Sequence, residues 1–293
     1  MNQNNVKSLI LDTNEETKEV NDVDKEIIGP VDWGLKNHFK NESYDHSPDE
    51  KENVLCFGMG KLAGSNLPGT HRLEFSFRSP LWRGFFFSSM GGAAYAFQGV
   101  GADFVTIEGK SDTPKIIVLK GNEDDAETAI DVEYHDVPRD KLIEIYTDYN
   151  GSEGVYGLTE YIIDNFSSKF DGNYRSVVAG PAAMHSDFAG IFSAAVENDE
   201  LVEGSEDWAG RGGGGTVMYQ SHNVVGVVFG GNAERKFPQT DLSDQSNVRD
   251  ILDDYFGELY LNVINEKTTK YRYNDEFDTG GTFGNNYPSL GEF

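Results

Sequence analysis

Two glycine-rich runs are the places where this chain could hold a ligand. Ser88-Ser89-Met90-Gly91-Gly92-Ala93-Ala94 is small, polar and flexible, and Ala209-Gly210-Arg211-Gly212-Gly213-Gly214-Gly215 is more so. With no Cβ in the way, backbone N–H groups in such runs can approach a large anion closely. Arg211 adds a forked set of donors suited to a phosphate. The same runs serve equally as flexible loops or as tight helix–strand packing. Glycine content alone leaves both readings open.

Other candidate chemistry is weaker. Phe57-Gly58-Met59-Gly60-Lys61-Leu62-Ala63-Gly64-Ser65 follows a strand-like run. It misses the dinucleotide G-x-G-x-x-G spacing, because Ala63 stands where the third glycine belongs. It misses the phosphate-binding G-x-x-x-x-G-K-[ST] pattern as well. A tight turn is the expectation there. The six histidines, His38, His46, His71, His135, His185 and His222, show no short metal-binding spacing. Each is expected at the surface or in a turn. Ser88 and Ser89 lie outside a G-x-S-x-G elbow. A single cysteine, Cys56, can form no internal disulfide and cannot supply the roughly four ligands of an iron–sulfur cluster.

Charge narrows the partners. Asp plus Glu number 50 against 24 Lys plus Arg, a net charge of −26. That balance argues against nucleic acid, whose binding depends on basic side chains. It also argues against an anionic membrane surface. Met1 to Asp12 carries no apolar signal region, and no apolar run approaches the ~18 residues of a membrane span. The expectation is a soluble, cytoplasmic protein whose acidity is a solvated surface.

The elements that must position the glycine runs are mostly strands. Arg72 to Arg78 alternates, with Leu73, Phe75 and Phe77 on one face and charged or polar residues on the other. Val54 to Phe57, Phe104 to Glu108, Ile116 to Leu119, Ser176 to Ala179 and Val224 to Phe229 are short apolar runs. Helices are predicted over Leu142 to Tyr149, over Leu158 to Phe170, and over Val248 to Val263, where Val248, Ile251, Leu252, Tyr255 and Leu259 form an amphipathic stripe. Blocks of strands with inserted helices predict an α+β fold. Residues 1–50 read as a loosely attached acidic segment, 51–274 as the main domain, and 275–293 as a Gly/Asn-rich tail.

The order of motifs resembles a known family. Gly60-x-Leu62-x-Gly64-Ser65 is followed by Pro68-Gly69-Thr70-His71-Arg72, Ser79-Pro80-Leu81, Gly91-Gly92, Gly101-Ala102-Asp103 and Glu108-Gly109-Lys110. Gly180-Pro181-Ala182 and Ala209-Gly210-Arg211-Gly212-Gly213 before Val217-Met218 come later. This series is similar to the N-terminal domain of the aldehyde ferredoxin oxidoreductases, from about Val54 to Gly231, with a fainter match back to Val6.

The resemblance implies a base of two β-sheets carrying tungsten, or sometimes molybdenum, held by two pterins. It implies helical domains elsewhere that bring the iron–sulfur cluster. With one cysteine here, those would come from a second polypeptide, with ferredoxin as the indirect electron acceptor and an oligomer possible. The implied reaction is oxidation of an aldehyde to a carboxylic acid. The alternative is a non-catalytic scaffold that keeps the fold without the cofactor. Carried over by position, the cofactor-binding residues fall on Arg72, Ser89, Gly91, Gly92, Trp208, Ala209, Gly210 and Arg211. No catalytic acid or base and no protein metal ligand is implied on this chain. Ser89 stands where the family commonly has Asn, Asp207 where it commonly has a basic residue, and Trp208 where it has a small one.

Overall fold

The computed structural model describes residues 6–65, 70–122, 130–202 and 204–233, with scattered positions between 244 and 280. The chain divides into two compact units, Met1–Pro238 and Gln239–Phe293. In the second, Ser246–Val248 is helical and Tyr273–Asn274 pairs antiparallel with Thr279–Gly280. Most of the amphipathic stripe predicted over 248–263, and most of the Gly/Asn-rich tail, lie outside the described residues.

The first unit begins with a hairpin, β1 (Lys7–Asp12) and β2 (Thr17–Asp22), then helix α1 (Pro30–Lys40). Strands β3 (Leu55–Met59), β4 (Leu73–Arg78) and β5 (Phe85–Met90) lead into a short helix α2 (Ala93–Phe97) and β6 (Phe104–Glu108). Next come β7 (Lys115–Gly121), β8 (Ile130–Asp136), α3 (Arg139–Thr147), α4 (Gly154–Phe166) and β9 (Tyr174–Ala179). Short strands follow: β10 (Ile191–Ser193), β11 (Val196–Glu197), β12 (Glu200–Leu201) and β13 (Asp207–Ala209). A helical turn, α5 (Gly214–Thr216), and β14 (Val224–Gly231) complete the unit.

These strands form two mixed six-stranded sheets, ordered β2-β1-β6-β3-β4-β5 and β13-β10-β9-β14-β7-β8. The predicted α+β class of two sheets with inserted helices is what the chain adopts. The inner faces meet in one core. Leu9, Leu11, Phe57, Leu73, Phe75 and Phe77 enter it from the first sheet, and Leu119, Val177, Val227 and Phe229 from the second. Each such side chain contributes about 1.5–3 kcal/mol by leaving water.

Helix α1 covers the outer face of the first sheet. Pro30 opens it at a position where a missing N–H costs nothing. Trp33 stacks on Phe104 at 5.7 Å and donates its Nε1–H to Thr106 Oγ1 at 3.0 Å. Helices α3 and α4 cover the outer face of the second sheet, where Leu142, Ile145, Leu158, Ile162 and Phe166 meet Ile116, Val118, Val225 and Val228. Strand β14 is therefore apolar throughout, because both of its faces are covered.

Two expectations are corrected here. Residues 7–22 are not loosely attached. Strand β1 lies between β2 and β6, parallel to β6, with Leu9 and Leu11 fully buried. The polar text of β2 suits its place at the sheet edge, where most of its residues are exposed. Nor are all histidines superficial. His222 is wholly enclosed, with Nδ1 at 2.7 Å from the Gly109 carbonyl and Nε2 at 2.9 Å from that of Asn53. His38, on α1, is buried beside Phe85.

Candidate functional site

The β4–β5 register sets the geometry. Leu73 faces Met90, so Arg72 just before β4 and Gly91 just after β5 flank the same end of the sheet. Strand β5 is the free edge of the first sheet and β13 the free edge of the second, and the two edges lie against each other. Gly91 and Gly92 thus emerge at the seam between the sheets.

At each glycine the missing Cβ leaves room for the end of a charged side chain. A methyl group at Gly91 would stand 2.6 Å from Asp207 Oδ2 and 3.8 Å from a terminal nitrogen of Arg72. At Gly92 the backbone has φ +74°, and a methyl would stand 2.7 Å from Arg175 Nη1. The Gly91 N–H is therefore open to close approach, and Asp207 Oδ2 accepts a hydrogen bond from it. Asp207 Oδ1 accepts a second from the Trp208 N–H at 2.8 Å.

Arg175 is the residue that the sequence reading missed. It lies on β9, 9% exposed, with Val177 and Ala179 on the same inward face. Its Nε donates to Ser193 Oγ at 2.8 Å and its Nη2 to the Ser205 carbonyl at 3.3 Å. Burial lowers its pKa, and the Asp207 carboxylate opposes that. The available signal was a charged residue in phase with the inward apolar positions of a buried strand. Among the described residues, Arg72, Arg175 and Arg211 have no carboxylate within ion-pair distance. Arg72 and Arg175 border one glycine pair, and each feels a carboxylate that stops short of an ion pair, Glu74 for Arg72 and Asp207 for Arg175.

The remaining sequence-predicted residues are placed as follows. Ser89 lies across from Glu74 on the outer face of the first sheet. Glu74 Oε2 is buried without a hydrogen-bond partner, and burial raises that carboxyl, with Arg72 opposing. Trp208 pairs with Phe192 in register and packs its ring edge-on to Phe192 at 4.8 Å. Its indole therefore lies on the face of the second sheet opposite Arg175, and only its backbone belongs to the seam. Ala209 is buried in the core, and Gly210 is exposed. Arg211 is exposed, and its N–H donates to Ser88 Oγ at 3.4 Å.

The run Gly212–Gly215 is a packing device. Added methyl groups would meet the Phe86 ring at 212, the Asp187 carbonyl at 213, the Phe77 ring at 214 and the Gly190 carbonyl at 215. Of the two glycine runs, only Gly91–Gly92 meets charged side chains. Elsewhere, His46, Glu50 and Glu52 lie close together on an exposed turn. The His46 to Glu50 contact at 2.9 Å accounts for that grouping.

The family model for the aldehyde ferredoxin oxidoreductase N-terminal domain matches residues 9–231. Glyceraldehyde-3-phosphate:ferredoxin oxidoreductase of Pyrococcus furiosus is 45% identical over 252 residues, 85% of this chain and 38% of that protein. An uncharacterized protein of Methanocaldococcus jannaschii is 41% identical over 274 residues, 94% of this chain and 40% of its own length. The chain thus spans about two fifths of the length of these relatives. Among solved structures, the active site complex BamBC of benzoyl coenzyme A reductase, with 1,5 dienoyl-CoA, superposes with a TM-score of 0.65. That match covers 91% of this chain and 35% of the other at 20% identity, and it shows the fold alone. No helix among the described residues is long and apolar enough to cross a membrane. A family match over residues 9–231, carried by two facing sheets, means that this chain belongs to the aldehyde ferredoxin oxidoreductase family through its N-terminal domain.

Proposed function

We propose that this chain is the cofactor base of an aldehyde-oxidising enzyme that passes its electrons to ferredoxin. The observation that carries the reading is the Gly91–Gly92 turn at the sheet seam, set between Arg72 and Arg175 on a chain of the aldehyde ferredoxin oxidoreductase family. A phosphate-bearing pterin suits this donor set. The missing Cβ lets an oxygen reach the Gly91 amide, a place that Asp207 Oδ2 holds here, and guanidinium groups of Arg72 and Arg175 border the two glycines. Arg72, exposed at the mouth, would take the phosphate directly, and Arg175 would support it from below. Ser89 and the backbone of Trp208 to Arg211 complete the proposed contacts.

A bound tungsten- or molybdenum-bis-pterin would supply the two-electron chemistry by which an aldehyde and water give a carboxylic acid, two protons and two electrons. This chain's share is binding and orientation. No acid or base of this chain is assigned to the reaction. An iron–sulfur cluster has to come from outside these 293 residues, which hold one cysteine. Glyceraldehyde 3-phosphate, named for the Pyrococcus relative, is the aldehyde to test first.

The test is the tungsten, molybdenum and pterin content of the protein purified from its own host, for the wild type and for Arg72→Ala. The expected result is near-stoichiometric metal and pterin in the wild type and a marked loss in the variant, with the fold intact because an exposed Arg contributes little stability. Metal-free wild type with its partners still attached would sink the reading. It would favour a scaffold role, for which the Asp207 carboxylate on the Gly91 amide is the specific argument.

A further inference from the structure

The carboxylate of Asp207 sits where an incoming anion would sit. It accepts from the Gly91 amide, and its Oδ2 lies 2.6 Å from the point where a Gly91 Cβ would stand, a point 3.8 Å from an Arg72 nitrogen. Arg175 lies against the neighbouring Gly92 and feels the Asp207 charge. Asp207 makes no ion pair within 4 Å among the described residues. Its oxygens are spent on two backbone amides, those of Gly91 and Trp208. The carboxylate thus shares the glycine pair with two arginines and satisfies the amide that the turn exposes.

The geometry points to Asp207 as an internal stand-in for a phosphate: its carboxylate closes the Gly91–Gly92 anion site, and a phosphate or pyrophosphate group enters by displacing it. This rests on reading the turn as a phosphate-binding place. One amide hydrogen serves one oxygen well, and two anions side by side repel, so ligand and carboxylate exclude each other there. Asp207 then sets specificity. A singly charged ligand gains too little from the two arginines to move it, whereas a pyrophosphate has the charge to do so. Asp207 begins a three-residue strand at a sheet edge, where one rotamer change frees the amide without breaking the β10–β13 register.

The experiment is calorimetric titration of inorganic pyrophosphate into the full chain at fixed ionic strength. Wild type, Asp207→Asn, Asp207→Ser and Glu206→Gln are compared. Both Asp207 variants should bind at least about tenfold more tightly than wild type, a change of roughly 1.4 kcal/mol. Glu206→Gln, which removes the adjacent charge without touching the turn, should stay within about twofold. Adding Arg72→Ala to Asp207→Asn should abolish the gain. Three results overturn the proposal: no gain in either Asp207 variant, an equal gain in Glu206→Gln, or a gain that survives loss of Arg72. The cofactor reading stands or falls separately. Host-purified protein that carries pterin while Asp207→Asn shows no gain refutes the stand-in alone. A pterin-free protein with the full tenfold gain refutes the cofactor reading alone.

Discussion

The two ends of the first sheet treat buried polar groups in opposite ways. At one end, β1, β4 and β6 finish and β3 and β5 begin. There His222 spans the carbonyls of Asn53 and Gly109, and the Asn53 side chain donates to the carbonyls of Pro48 and Arg78. Asn53 Oδ1 also accepts from the Arg78 N–H at 2.8 Å, and Thr13 Oγ1 donates to the His222 carbonyl. The polar groups of this end pair largely with backbone from distant parts of the chain. At the other end, Arg72, Arg175 and Asp207 gather around two glycines without a close ion pair. The first end is a fastening. The second leaves its charges without a close ion pair among the described residues, which is what the proposed anion site needs. A polar cluster whose bonds close on themselves contributes stability, and one with unpaired charge contributes binding.

Substitutions can break this contrast. His222→Leu should have the largest effect. It removes the one hydrogen bond a neutral imidazole can donate to these buried carbonyls together with a fully enclosed ring that fits its site, and should cost about 3–5 kcal/mol, read as a fall in the urea midpoint. A loss below about 1 kcal/mol would mean that the fastening is dispensable.

Acid should act next, through His38. Burial holds its pKa down to about 4 from 6.5, with the Ser76 backbone offsetting part of the shift. The folded state therefore keeps this imidazole neutral, while the unfolded chain takes a proton below pH 6.5. Its contribution is complete above that pH and is lost as pH falls toward 4, roughly 3 kcal/mol in all. The stability difference between wild type and His38→Leu should change by that amount over that window. Parallel curves would remove His38 from the account.

Gly92→Val sharpens the other side. The positive φ and the Arg175 guanidinium both oppose a side chain there, at about 2 kcal/mol. Pterin content should fall further than that stability loss explains. Arg175→Met should come last in stability, within about 1 kcal/mol, since an apolar side chain of similar size replaces a buried charge. Pyrophosphate binding should nevertheless weaken markedly in that variant. If Arg175→Met costs as much stability as His222→Leu, the contrast between the ends fails.

Much of the fold was legible. The alternation at Leu73, Phe75 and Phe77 is strand β4, and the apolar runs at 54–57, 104–108, 116–119, 176–179 and 224–229 are strands too. Helices α3 and α4 lie where the spacing of Leu142, Leu158 and Ile162 placed them. Strand β2 was not legible, because an edge strand with Lys18, Glu19 and Asp22 facing water has no apolar period to read. His222 was missed because what buries it is the convergence of residues 13, 53 and 109, far apart in sequence. At the candidate site, Arg72, Gly91 and Gly92 could be named from motif order. The face that Trp208 takes, the inward reach of Arg175 and the Asp207 contact depend on which sheet edges meet. No local pattern encodes that.

The order in which the strands leave the ribosome has a consequence of its own. Strand β14 is the last of the second sheet to be made, yet it lies at its centre, between β9 and β7. Strand β1 is the first of its sheet among the described residues, and its parallel neighbour β6 arrives nearly a hundred residues later, with Ser8 facing Phe104. Neither sheet can close as it is synthesised. The β1–β2 hairpin must wait with one apolar face open, and β7–β8 and β9 must wait as separate fragments until residues 224–231 emerge. Such long-range closure makes for slow folding and a prolonged exposure of sticky edges. A nascent chain stalled before Val224 should be a client for chaperones, whereas one released after Gly231 has every strand of both sheets in hand.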